Sequence, residues 1–182
     1  MARNLELKVR CDDEEHRRIL EAIPVDDVSE RRELHQRDTY FVVPRGRLKL
    51  RQIDDGECRA AELIQYQRPD TSGMRMSSYR RTEIAANQAP VLLASLEDAL
   101  GTLTVVDKTR TVILWRATRI HLDQVAQLGH FVELETVLGD GKGAEDDGKA
   151  EFDAVVQMLD LAGLESVAGS YSDLMIGRQH AR

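Results

Sequence analysis

Cysteine is nearly absent from this sequence. Cys11 and Cys58 are the two that occur in 182 residues, and they sit in no zinc or redox spacing. Reduced thiols are therefore expected rather than a disulfide framework. Aromatic residues make up 4% of the chain, too few for a platform on which the bases of a single strand would stack. No apolar run approaches the roughly 20 residues that a membrane-spanning helix needs. The opening Met-Ala-Arg-Asn-Leu-Glu-Leu-Lys has no apolar stretch of the kind a secretory signal carries. Positive charge is in deficit: 25 Lys and Arg against 32 Asp and Glu leave a net charge of −7, which argues against broad binding to nucleic acid or an anionic membrane. These absences point to a cytoplasmic protein. With 42% hydrophobic residues, the chain is long enough for one well-cored domain over 1–182.

Period-2 alternation dominates what is there. In 4–10, Leu5, Leu7 and Val9 fall on one face and Asn4, Glu6, Lys8 and Arg10 on the other, which predicts a strand. Asp12 or Asp13 can cap a helix over Glu14 to Ile23, stopped by Pro24. The polar stretch 25–36 reads as a loop. Strands follow at Asp38–Val43, Arg47–Arg51, Arg59–Arg68 and Arg75–Ile84, with Pro44-Arg45-Gly46 and Asp54-Asp55-Gly56 as turns and a further turn over 70–74. Asn87–Leu100 carries a helical stripe ended by Gly101. Thr102–Trp115, Thr118–Asp123 and Phe131–Leu138 are β-type runs, 139–148 is an acidic, Gly-rich loop, and helices are expected over Lys149–Ala162 and Ser172–Gln179. About eight strands at hairpin spacing make an antiparallel α+β fold.

The parity of the charges is more informative than their number. Arg47, Lys49 and Arg51 share one strand face, as do Lys108 with Arg110, Arg119 with His121 and Asp123, and Glu133 with Glu135. An ordinary antiparallel sheet with a solvated outer face would produce charged faces too. It would more often mix their signs, because like charges two residues apart repel and gain nothing for stability. Something of opposite charge between the rows removes the difficulty. A triphosphate, with roughly four negative charges, suits Arg and Lys. Carboxylates from Glu6, Glu133 and Glu135 could converge on one hard cation, since Mg²⁺ usually takes one or two carboxylates plus water and phosphate oxygens. A closed antiparallel eight-stranded β-barrel has room for such a lumen.

The same residues resemble the CYTH group, also called the triphosphate tunnel metalloenzymes, which includes class IV adenylyl cyclases and thiamine or inorganic triphosphatases. The hallmark Glu-x-Glu-x-Lys of its first strand stands here as Asn4-Leu5-Glu6-Leu7-Lys8, without the first Glu. Asp38-Thr-Tyr-Phe, Gly46-Arg-Leu-Lys-Leu-Arg51 and Glu62-Leu-Ile-Gln-Tyr-Gln-Arg-Pro69 follow in family order, with Gln67 where a Lys is usual. Lys108-Thr-Arg110, Thr118-Arg-Ile-His-Leu-Asp123, Leu128-Gly-His-Phe-Val-Glu-Leu-Glu135 and Ser170-Tyr-Ser-Asp-Leu-Met175 complete the succession. The Thr-Arg-Ile-His-Leu-Asp run leans toward the class IV cyclase-like branch.

The resemblance implies a tunnel in which Lys8, Arg47, Lys49, Arg51, Lys108, Arg110 and Arg119 bind phosphates. Arg47 and Arg10 rank below the others as strand-end residues. Glu6, Glu133 and Glu135 would hold Mg²⁺ or Mn²⁺, and Lys8, Arg119 and Asp123 would act in catalysis. His121 reads as a hydrogen-bonded lumen or core histidine before a proton-transfer group, and Tyr171 as a packing residue. The implied ligand is ATP, thiamine triphosphate or tripolyphosphate, and a homodimer is the implied assembly. Cyclisation of ATP to cyclic AMP and pyrophosphate is the leading activity, with hydrolysis of a terminal phosphate as its alternative. A non-catalytic phosphate-binding module, motivated by Asn4 and Gln67, is a third reading.

Overall fold

A computed structural model describes residues 3–67, 78–138 and 144–180. The turn expected over 70–74, the first half of the 139–148 loop and the side chains of Asn4 and Gln67 lie outside the described residues. The strands are β1 (Arg3–Cys11), β2 (Val28–Phe41), β3 (Arg47–Asp54), β4 (Arg59–Gln67), β5 (Ser78–Ile84), β6 (Thr102–Trp115), β7 (Thr118–Val125), β8 (Gly129–Leu138) and the two-residue β9 (Glu165–Ser166). The helices are α1 (Asp13–Ala22), α2 (Ala89–Leu100), α3 (Ala144–Met158) and α4 (Tyr171–His180). None of the described helices is long and apolar enough to cross a membrane.

The strands form one large antiparallel sheet in the order β5-β4-β3-β2-β6-β7-β8-β1-β9. This corrects the closed eight-stranded barrel. Closure needs a hydrogen-bond ladder between the two end strands, and the end strand β9 has two exposed residues that pair with Val9 and Arg10 of β1. Among the described residues the sheet is open.

Two further corrections concern element ends. Strand β2 begins at Val28, within the stretch read as a loop. Residues 29–33 are all exposed, so no apolar alternation marks them. Pairing with β6 places them instead, with Ser29 Oγ donating to the Leu114 carbonyl at 3.3 Å. Helix α3 starts at Ala144, five residues before the expected Lys149, with Glu145, Asp146 and Asp147 in its first turn. Acidic residues there complement the positive helix end, a contribution that outweighs the poor propensity of Gly148.

The chain resolves into two compact units. In the first, built from the described parts of 1–33 and 110–168, α1 and α3 lie against β8 and β1. Asp12 accepts from the backbone N–H of Glu14 and Glu15 while Glu15 reaches back to the Asp12 N–H, a reciprocal cap worth about 1 kcal/mol. Helix α1 buries Ile19 completely, which contributes roughly 1.5–3 kcal/mol. Val9, Ile113, Trp115, Ile120, Leu122, Val132, Leu134, Val155 and Leu159 complete that core. In the second unit, 34–67, 78–109 and 169–180, the β3–β4 hairpin turns at Gly56 (φ +85°). There Asp54 and Asp55 accept the Gly56 and Cys58 N–H groups at 2.9 and 2.7 Å. Phe41, Leu50, Val106, Ala61 and Ala89 are buried in this unit.

Candidate functional site

Burial of the odd-numbered apolar residues of β1 fixes the register of the first unit, and with it a second, charged face. Because Leu7 and Val9 pair with Leu134 and Val132, alternation turns Glu6, Lys8 and Arg10 to the opposite side. Across β7, β8 and β1 the register then produces three rows: Arg119, Glu135 and Glu6; His121, Glu133 and Lys8; Asp123, Phe131 and Arg10. The middle row is compact. Lys8 Nζ lies 3.4 Å from Glu133 Oε1, and Arg110 Nη2 lies 3.1 Å from Glu133 Oε2. Arg110 also holds Asp123 through two parallel bonds, Nε to Oδ1 and Nη2 to Oδ2, both 2.6 Å. His121 Nδ1 stands 3.9 Å from Glu133 and makes no hydrogen bond within the protein.

Burial alone would push the Glu133 carboxyl up. The charges of Lys8 and Arg110, with His121 beside them, outweigh it and hold the group well below the usual carboxylate range. Glu133 is therefore ionised and compensated by cations of the chain itself.

The second unit builds a different cluster from β2, β3, β6 and the start of α4. Asp38, 2% exposed, pairs directly across from Arg51 in the β2–β3 ladder. It accepts from Lys49 Nζ at 2.6 Å and from Arg51 Nε and Nη2 at 2.7 Å each. Burial raises its carboxyl, but Lys49, Arg51 and Lys108 pull it far below the ordinary value. Tyr40 OH lies 3.4 Å from Lys49 Nζ. Arg47 donates to Asp173 Oδ1 at 2.8 Å and Ser170 Oγ at 3.2 Å, at the first turn of α4. Lys108 Nζ lies 5.1 Å from the centre of the Tyr171 ring.

The charged faces are not the solvated faces of an ordinary sheet. Lys8, Lys49, Lys108 and Arg110 are all under 10% exposed, and His121 and Asp123 are 6% and 0%. Arg119 differs: its side chain is 53% exposed and only 3.9 Å from Glu135, and Arg10 is 39% exposed beside Leu128 and Glu165. Arg47, ranked low as a strand-end residue, is 21% exposed and doubly bonded.

A divalent ion fits this donor set in one form. Among the described residues no three His, Cys, Asp or Glu side chains converge as a metal cage, because Glu133 is turned to Lys8 and Arg110. Glu6 and Glu135 lie directly opposed on β1 and β8. Like charges at opposed positions repel, and two carboxylates with the remaining ligands from water or phosphate suit a hard cation.

Sequence reasoning missed Asp38, Tyr40, Ser170 and Asp173. Asp38 and Tyr40 share the parity of the β2 inner face, but their partners on β3 depend on register, which alternation does not disclose.

One family model, the CYTH domain, matches residues 2–171. No curated protein matches the chain significantly. Among solved structures, the PH1819 protein from Pyrococcus horikoshii superposes with a TM-score of 0.71 at 20% identity, over 96% of this chain and 99% of that one. A candidate adenylate cyclase from Vibrio parahaemolyticus reaches 0.64 at 18% identity, over 95% and 97%. A candidate adenylyl cyclase from Hippeastrum, described as having a dominant triphosphatase activity, reaches 0.64 at 14% identity, over 99% and 96%. At these identities the likeness is one of fold. The family match, covering residues of both charged clusters, makes the chain a member of the CYTH domain family.

Proposed function

We propose that this chain is a metal-dependent enzyme acting on a triphosphate. The observation that carries the reading is the burial of four cations, Lys8, Lys49, Lys108 and Arg110, on strand faces. Desolvating a cation costs several kcal/mol, and phosphate oxygens offset that cost wherever they meet such a cation. Lys49, Arg51, Lys108 and Arg47 are assigned to phosphate oxygens, with Asp38 holding Lys49 and Arg51 in place before the ligand arrives. Lys8 and Arg110 are assigned the same task beside Glu133, and Arg119, more exposed, a peripheral one.

Glu6 and Glu135 would hold Mg²⁺ or Mn²⁺, with Glu133 contributing charge behind them. Such an ion supplies Lewis-acid stabilisation of phosphoryl oxygens. Asp123 has both carboxylate oxygens on Arg110. That pairing supports a positioning role on the guanidinium alongside the catalytic one that the resemblance implies.

Two reactions suit the site. In the cyclase-like reading the ribose 3′-oxygen attacks the α-phosphorus of ATP, and pyrophosphate leaves. In the alternative, hydrolysis, water attacks the terminal phosphorus and phosphate leaves. Phosphorus NMR after incubation with ATP and Mn²⁺ separates them: cyclic AMP with pyrophosphate supports the first, ADP with phosphate the second. An unchanged spectrum at high protein concentration would leave a phosphate-binding module.

The Arg47–Asp173 pair supplies a simpler test of the second cluster. Because Asp173 competes with phosphate for Arg47, Asp173→Asn is expected to tighten tripolyphosphate binding several-fold, measured by calorimetry. Binding weaker than in the unaltered protein would count against Arg47 as a phosphate ligand.

A further inference from the structure

The charged row of the first unit contains one group to which none of these roles gives a task. His121 stands in mid-β7 between Ile120 and Leu122, which are 0% and 1% exposed. With both neighbours held in the apolar core, alternation turns His121 onto the charged face. There it lies directly across from Glu133, whose other cross-strand neighbour is Lys8. The side chain is 7% exposed, and Nδ1 is 3.9 Å from Glu133 Oε2, beyond hydrogen-bond reach. At that distance Nδ1 is buried with no partner within ordinary hydrogen-bond length. Buried polar atoms are nearly always hydrogen-bonded, and an exception needs a physical account. Other buried atoms of this unit without a partner belong to His16, His130 and Trp115, outside the ion-paired row. His121 alone among them has Lys8, Arg110 and Glu133 for company.

We propose that His121 is a further substrate contact, its Nδ1–H donating to a phosphate oxygen of the triphosphate beside Lys8 and Arg110. This rests on the triphosphate reading of the same site and adds a ligand that the reading does not require. The role is that of a hydrogen-bond donor. It adds a directional bond next to Glu133, and the row already holds Lys8 and Arg110 for the phosphate charge.

The test compares three proteins by calorimetry with tripolyphosphate and no added metal. Asn places an N–H close to the Nδ1 position, whereas Phe fills the space with no donor. His121→Asn is expected to bind within about threefold of the unaltered protein, and His121→Phe about tenfold more weakly or worse, as for the loss of one hydrogen bond to a charged group. The melting temperature without ligand should be nearly the same in all three, and the His121 ring ¹⁵N resonance should move on saturation. Equal affinity of His121→Phe and the unaltered protein overturns the proposal. Equally weak binding by His121→Asn and His121→Phe does so too, as does a ring resonance that stays put at saturation, a readout that holds even if the Phe protein folds poorly. If the unaltered protein binds no tripolyphosphate, the triphosphate reading itself falls, an outcome distinct from any of these.

Discussion

Asp38→Ala is expected to lower stability by about 3–5 kcal/mol at neutral pH, read by urea denaturation. Asp38 is 2% exposed and takes three charge-assisted hydrogen bonds from Lys49 and Arg51. Without it both cations stay on the strand face with the charge of Asp38 gone and three charge-assisted hydrogen bonds lost. The pH dependence has a definite sign. The folded-state carboxyl lies far below its ordinary value because the surrounding cations outweigh the effect of burial. Its stabilisation is therefore complete above the unfolded-state value near 3.9 and is lost as pH falls toward the folded one. The stability gap between the unaltered protein and Asp38→Ala should narrow between about pH 5 and pH 2. Glu133, also held low by its cation partners, contributes in the same direction. A gap that widened on acidification would mean that Asp38 is not ionised in the folded chain.

Glu135→Gln is expected to reduce metal-dependent turnover at least about tenfold and to weaken Mn²⁺ binding, with little change in melting temperature. Glu135 is opposed to Glu6 across the β1–β8 ladder, and Arg119, its ion-pair neighbour among the described residues, is 3.9 Å away and half-exposed. Its charge is thus poorly used by the fold and available to an ion. Glu133→Gln should also lower turnover by at least about tenfold, but for a second reason as well. Removing that charge leaves Lys8 and Arg110 less compensated, so its melting temperature should fall, and the pair of variants separates metal binding from fold stability. Normal turnover in Glu135→Gln would end the assignment of the β8 carboxylates to the ion.

The two variants differ in how visible their residues were beforehand. Glu133 and Glu135 stand out because Val132 and Leu134 flank them in strict alternation, a local signal that any six residues can carry. Asp38 does not stand out. It begins a run rich in β-branched and aromatic residues, and its importance arises from lying across from Arg51, a fact of register. The start of β2 was illegible for a related reason. Residues 29–33 are exposed throughout, so their strand is held by a backbone ladder, which leaves no trace in side-chain pattern. Helix ends fared unevenly: the Asp12–Glu15 cap of α1 was partly visible, whereas the acidic first turn of α3 resembled a loop.

His121 shows the limit most clearly. Its parity was plain from Ile120 and Leu122, and its residue type permitted several roles. Whether Nδ1 had a partner depended on atoms of Glu133, a strand away, and no spacing rule addresses that.

By itself, then, the amino-acid order determined the alternation of the strands, the caps of α1, the hairpin turn at Gly56 and the charged parity of Lys8, Arg51, Arg110 and Glu133. Each of these follows from steric and hydrogen-bonding preferences within a few residues. Tertiary structure alone decided that the sheet is open among the described residues, that Lys8, Lys49, Lys108 and Arg110 are buried, and which cation meets which carboxylate. Arg47 reaches Asp173 across 126 positions of sequence. A pairing of that kind is set by strand register and packing, whose energies come from the whole core and not from the residues that meet.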